Sequence, residues 1–205
     1  MKTRYTLICA VTLLAILPLP APRRLLEQSL VSHIVVQMPI LVFCGWVIAQ
    51  RFALLLEPIG KNWNAGGITG LIAASYIFAF WMLPRSVDGS VQTTAYEVAK
   101  FLTLPIAGAL LALSWPRLPT LAIGVLKANV VSMLLVLAWI YSASPVRLCN
   151  SYLRGDQDIL GFTMALIAVI LGVIWGASVM TGRSSRGSNL GSPASFGAKE
   201  LELSL

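Results

Sequence analysis

A chain of 205 residues that is 57% hydrophobic and only 11% charged, with a mean hydropathy of +0.81, is not a water-soluble globular domain, where about 25% of residues are charged. Apolar runs close to the roughly 18–20 residues that cross a bilayer recur along it, so the expected fold class is all-α: a polytopic helical membrane protein in contact with the lipid bilayer. The net charge of +7 comes from basic residues dispersed through short loops and tails, a bias that sets topology, and no nucleic-acid partner is expected.

Lys2 and Arg4 precede the apolar run Tyr5 to Leu19, which ends in a break at Pro18, Pro20 and Pro22. Residues 1–22 therefore read as a first transmembrane helix, or as a signal segment. No clean Ala-x-Ala cleavage site follows, which favours a retained helix. Further spans are expected over Ser29–Ile48, Gly66–Leu83, Ala95–Trp115, Leu118–Ile140 and Ile159–Met180. That gives about six transmembrane helices, or five if the first is a cleaved signal, with the main bundle over residues 29–180. A polar loop joins Pro84 to the span that begins at Ala95. The stretch 181–205 is rich in Ser and Gly and reads as a disordered cytoplasmic tail. Cys9, Cys44 and Cys149 have no CxxC spacing, and the first two lie within spans, so no disulfide framework is expected.

Orientation follows from the Lys and Arg near the spans. One side holds Lys2, Arg4, Arg51, Lys61, Arg117, Arg183, Arg186 and Lys199; the other holds Arg23, Arg24, Arg85, Arg147 and Arg154. The excess on the first side puts both termini in the cytoplasm. His33 and Gln37 then lie in the outer half of the second span, four residues apart on one face. Tyr96 and Lys100 share a face at the outer start of the fourth span. Met38, Met82, Glu97, Asp156, Gln157 and Met164 fall at similar depth. Each has a plainer reading: His33 as a hydrogen-bonded polar residue, Met38 as packing beside the Pro39 kink, and Asp156 and Asp158 as solvated or helix-capping carboxylates. Lys100 pairs with Glu97 or snorkels. Trp63, Trp81, Trp115 and Trp139 serve as interfacial anchors. Lys127 and Asn129 lie deeper, where a charge is costly.

The order Trp81-x-Leu-Pro84, then Asp88, then a helix entered through Tyr96 and Lys100, then Ala107-Gly108 and Trp115, resembles the CtaG-type cytochrome c oxidase assembly factors. Ser32-His33-Ile34-Val35-Val36-Gln37 resembles that family's His-x-x-x-His helix. Gly155-Asp156-Gln157, Leu160-Gly161 and Met164 resemble its Asp-Gln, Gly-Gly, Met element. The resemblance implies a multi-span protein of the bacterial cytoplasmic (inner) membrane that helps to supply copper to the oxidase. An oxidase subunit or a copper carrier is the implied partner. The family has histidine where this chain has Gln37, Met82, Tyr96 and Lys100, and only His33 of that set remains. The implied copper ligands are accordingly His33 with Met82, Met38 and Met164, because copper(I) favours soft donors.

A metal-free membrane scaffold or partner subunit is the alternative, and a small transporter is a third. Neither HExxH nor Gly-x-Ser-x-Gly occurs, and no Ser-His-Asp set can be placed around the single histidine. No enzyme activity is expected.

Overall fold

The computed structural model describes residues 2–53, 55, 62–144, 149 and 151–181. The tail from residue 182, together with Lys61, Arg147, Arg183, Arg186 and Lys199 of the charge count, lies outside the described residues. Among those described there is helix and turn but no strand, and the chain is an all-α polytopic membrane protein. Four helical stretches among the described residues are long and apolar enough to cross a membrane, or up to six if each of two bent helix pairs is one span.

The first bent pair is α1 (Lys2–Ile16) and α2 (Pro20–Glu27), which turn on each other by 84°. Pro20 starts the second of these helices, since its fixed φ and missing N–H suit a first helical position. The chain then enters a π-helical turn, Ser32–Gln37, continuous with α3 (Met38–Arg51). Pro39 accounts for the turn. It donates no hydrogen bond to Val35 and its ring presses on that carbonyl, so the ladder widens and Met38 N–H bonds His33 O five residues back.

The second bent pair is α4 (Ile68–Met82) and α5 (Pro84–Gln92), at 73°. The polar loop expected after Pro84 is thus largely helical, again with proline at the helix start, and it buries Ser86, Val87, Asp88 and Ser90. Helix α6 (Thr94–Ser114) leads through a 3-10 turn at Trp115–Arg117 to α7 (Thr120–Ala143), and α8 (Arg154–Met180) closes the described chain. Asp156, Gln157 and Asp158, expected before the last span, lie in the first turns of α8 instead. Acidic side chains there complement the helix dipole.

Helices α3 and α6 form the densest contact of the bundle. Glycine makes it possible: a Cβ at Gly45 would fall on the carbonyl oxygen of Pro105, and one at Gly108 on that of Val42. Small residues let helix backbones approach closely in a membrane, where packing replaces the hydrophobic drive. Trp81 ties α4 to α6 by donating from Nε1 to Thr103 Oγ1 at 2.8 Å. Helix α1 packs along α3, and Leu17, in the turn that follows it, reaches the core.

Helices α7 and α8 pair as a hairpin, with Gly161 close against Ser142 and Ala138. Leu137, Tyr141, Leu160 and Met164 carry that hairpin into the common core beside Leu30, Met38 and Trp81. At the other end of α6, Asn64 donates to Ser114 Oγ and accepts from Gly70 N–H, each at 2.9 Å, which secures the start of α4.

Candidate functional site

The polar residues collect at the end of the bundle where α2 meets α3 and α5 meets α6. Lys100, one and a half turns into α6, has no exposed surface, and neither have His33 and Gln37. Close approach of α3 and α6 turns the Lys100 side chain inward, where its ammonium finds three acceptors. Nζ donates to Glu27 Oε1 at 2.6 Å and to Gln37 Oε1 at 3.2 Å, and it stands 3.2 Å from His33 Nε2. An ammonium has donors only, so Nε2 accepts and the ring proton sits on Nδ1. That nitrogen donates to the Tyr152 hydroxyl at 2.7 Å. Ser90, whose Oγ donates to Val87 O, lies 3.4 Å from Nε2.

Glu27 continues the network outward. Its Oε2 lies 3.3 Å from Arg23 Nε, one helical turn back on α2, and the Arg23 guanidinium also pairs with Glu97. Two cations and two carboxylates alternate along this path, so the network has no formal net charge. Such balance is what permits charges to be buried, since an isolated ion in a low-dielectric interior costs several kcal/mol. The amide of Gln37 completes the picture: its oxygen faces Lys100, and its Nε2 has no hydrogen-bond partner among the described residues.

The expected candidates divide. His33, Gln37 and Lys100 meet at one point. Tyr96 does not join them; it is partly exposed, stacks on Phe80 with ring centroids 6.3 Å apart, and rests on Gly89. Met38 and Met82 line an apolar cavity of about 320 Å³ with Val42, Phe78 and Leu104, and Met164 lies in the apolar core. Asp88 Oδ1 accepts from Ser151 N–H at 3.2 Å and so fastens the segment that carries Tyr152. Trp81 and Gln157 are buried, Pro84 begins α5, and Asp156 lies in the first turn of α8. Lys127 lies away from this cluster, its amine 5.8 Å from the centre of the Trp175 ring.

One expectation needs correction. Lys100 pairs with Glu27, not with Glu97 three residues before it, which takes Arg23 instead. The residues that the resemblance implies as copper ligands lie in different surroundings. Both nitrogens of His33 are held by protein groups, and an ammonium stands at Nε2, where it repels a second cation. The sulfurs of Met38, Met82 and Met164 belong to apolar surroundings. Among the described residues, no group of three or more His, Cys, Asp or Glu side chains is arranged to hold a metal ion.

Sequence reasoning missed Arg23, Glu27, Ser90 and Tyr152, all in segments read as connectors. One signal was available: Arg23 and Glu27 are spaced i, i+4 beside Leu25-Leu26, the pattern of an amphipathic helix with its own ion pair. Outside the spans, burial and then the charge of Asp88 push the Cys149 thiol up to about 11. Burial, followed by the charge of Glu27, likewise raises the Tyr152 phenol.

No family model, curated protein or solved structure matches the chain. Fold and site together define the class: a polytopic α-helical membrane protein that closes one end of its bundle with a buried, charge-balanced network.

Proposed function

We propose that this chain is a membrane scaffold in cytochrome c oxidase assembly. In this reading it sits in a bacterial cytoplasmic membrane with both termini in the cytoplasm, and it holds an oxidase subunit or a copper carrier without binding copper itself. One observation carries the reading: His33, Gln37 and Lys100, three positions of the CtaG-like pattern, converge on one point although Lys100 lies 67 residues from His33. The pattern thus corresponds to a shared place in space, as a family-like site requires. Its centre is an ammonium already paired inside the protein, which speaks for a structural role of the site over ferrying a metal.

The test is deletion of the gene in its native host, with assembled oxidase and its copper content measured in the membranes. Loss of both, restored by the wild-type chain and by a His33→Ala chain alike, is the expected result. Unchanged oxidase in the deletion strain sinks the assembly role. Complementation that depends on His33 while the variant still accumulates in the membrane would instead favour a copper-handling role.

A further inference from the structure

We propose that the α7–α8 hairpin holds one anionic phospholipid, its phosphate on the Lys127 ammonium and one acyl chain in a trench between the two helices. The inference rests on the membrane-spanning hairpin and not on the assembly role.

The charge is the first observation. Lys127 lies inside the apolar span α7, about 10 Å along the helix from Thr120 at 1.5 Å per residue. Among the described residues the ion pairs are those of Arg23, Glu27, Glu97 and Lys100, so Lys127 has no carboxylate partner there. Its amine stands 5.8 Å from the centre of the Trp175 ring on α8, within cation–π range. A cation at this depth without an anion is costly. Side chains on a helix lean towards its start, so the Lys127 stem runs back towards the nearer membrane face, where lipid phosphates lie.

The shape is the second. Lys127 and Trp175 line a cavity of about 460 Å³ between α7 and α8. Its α7 wall runs from Gly124 to Leu135, about 16 Å along the helix. One leaflet of a bilayer with about 30 Å of hydrocarbon is about 15 Å deep. The trench therefore has the length of one acyl chain, with a cation near its outer end and apolar walls below, which is the order of groups in a phospholipid.

Glycine keeps the trench open. Gly45 and Gly108 admit a neighbouring backbone, but a Cβ at Gly124 or Gly176 would meet nothing within 4 Å, and one at Gly172 only Val131 Cγ1 at 3.8 Å. Glycine inside a helix lowers stability, and no described part of the chain uses the space that these three leave. A second copy is a poor occupant. Two-fold packing through the trench would set two Lys127 ammoniums at equal depth on facing surfaces, and like charges repel strongly in a low-dielectric interior. An anionic lipid supplies the missing charge instead.

The test uses the full chain in nanodiscs of equal parts dioleoyl-phosphatidylglycerol and dioleoyl-phosphatidylcholine. The protein is released into mild detergent, and its bound lipids are counted by native mass spectrometry. Wild type and Lys127→Arg are expected to retain about one phosphatidylglycerol per chain in preference to phosphatidylcholine. Lys127→Gln is expected to lose about fivefold in that retention, the factor one lysine contributes near an anionic surface. Gly176→Leu, which fills the trench and leaves the charge in place, is expected to lose the lipid while still eluting as a monodisperse peak. Equal retention of both lipids by the wild type overturns the proposal, as does retention unchanged in Lys127→Gln. A wild-type dimer that persists in phosphatidylcholine alone and is abolished by Gly176→Leu also overturns it, because a second copy then fills the trench. Should a variant aggregate, the wild-type ratio of the two lipids still decides.

Discussion

Lys100 Nζ and His33 Nε2 lie 3.2 Å apart, with no exposed surface on either residue. Glu27, Gln37, Ser90 and Tyr152 are arranged around that contact. It fixes which ring nitrogen accepts, and through Nδ1 it reaches Tyr152 on the segment before α8. A helix end, a π-helical turn, a transmembrane helix and a connecting segment are joined through two side chains.

The contact makes a spectroscopic prediction. Because the chain has one histidine, nitrogen-15 NMR of histidine-labelled protein reports on His33 alone. A proton on Nδ1 and a hydrogen-bonded, unprotonated Nε2 are expected. A proton on Nε2 would contradict the arrangement.

Breaking the Glu27–Lys100 pair on one side is expected to be severe, because it strands a buried charge. Glu27→Gln should cost about 3–5 kcal/mol, whereas replacing both partners with Glu27→Leu and Lys100→Met should cost far less. Reversible unfolding in mixed micelles, run as a double-mutant cycle, reads the coupling. Costs of the single variants that simply add would show that the pair is not coupled.

The crossing of α3 on α6 depends on two glycines. Gly45→Leu and Gly108→Leu are each expected to exceed about 4 kcal/mol or to abolish folding, since the added carbons collide with backbone carbonyls and not with movable side chains. Gly124→Ala and Gly176→Ala, where a Cβ meets nothing within 4 Å, are expected to stay within about 0.5 kcal/mol. Thermal midpoints of the four variants decide.

Cys149 supplies a pH test. Its thiol is raised from 9.0 to about 11, so the folded state binds a proton that the unfolded state releases between those values. The stability that the thiol contributes is therefore full below pH 9 and is lost as pH rises towards 11. In a Cys9→Ser, Cys44→Ser background, alkylation of the native protein should stay slow at pH 9 and accelerate only towards pH 11. Fast labelling at pH 8 would show that Cys149 is neither buried nor raised.

The spans were legible in the sequence because hydropathy is local: each apolar run can be counted without knowing its neighbours, and the expected second to sixth spans overlap helices of the structure. The prolines misled. Pro20 and Pro84 read as breaks, and they do break the spans, but each also starts a short helix, and those two helices deliver Glu27 and Ser90 to the core. His33, Gln37 and Lys100 were legible as polar residues at one depth, because helix geometry fixes rise and face from residue number alone.

Which charge Lys100 pairs with was not legible. Spacing along the helix pointed to Glu97, and the 84° turn between α1 and α2 brings Glu27 there instead. Sequence by itself determined that the chain crosses a membrane and that its polar groups gather at one end. Only the tertiary structure decided that an ammonium, and not a set of open ligands, stands at their centre. The interaction of buried charges depends on distances of a few ångströms between atoms far apart in sequence, and those distances are set by how the helices cross.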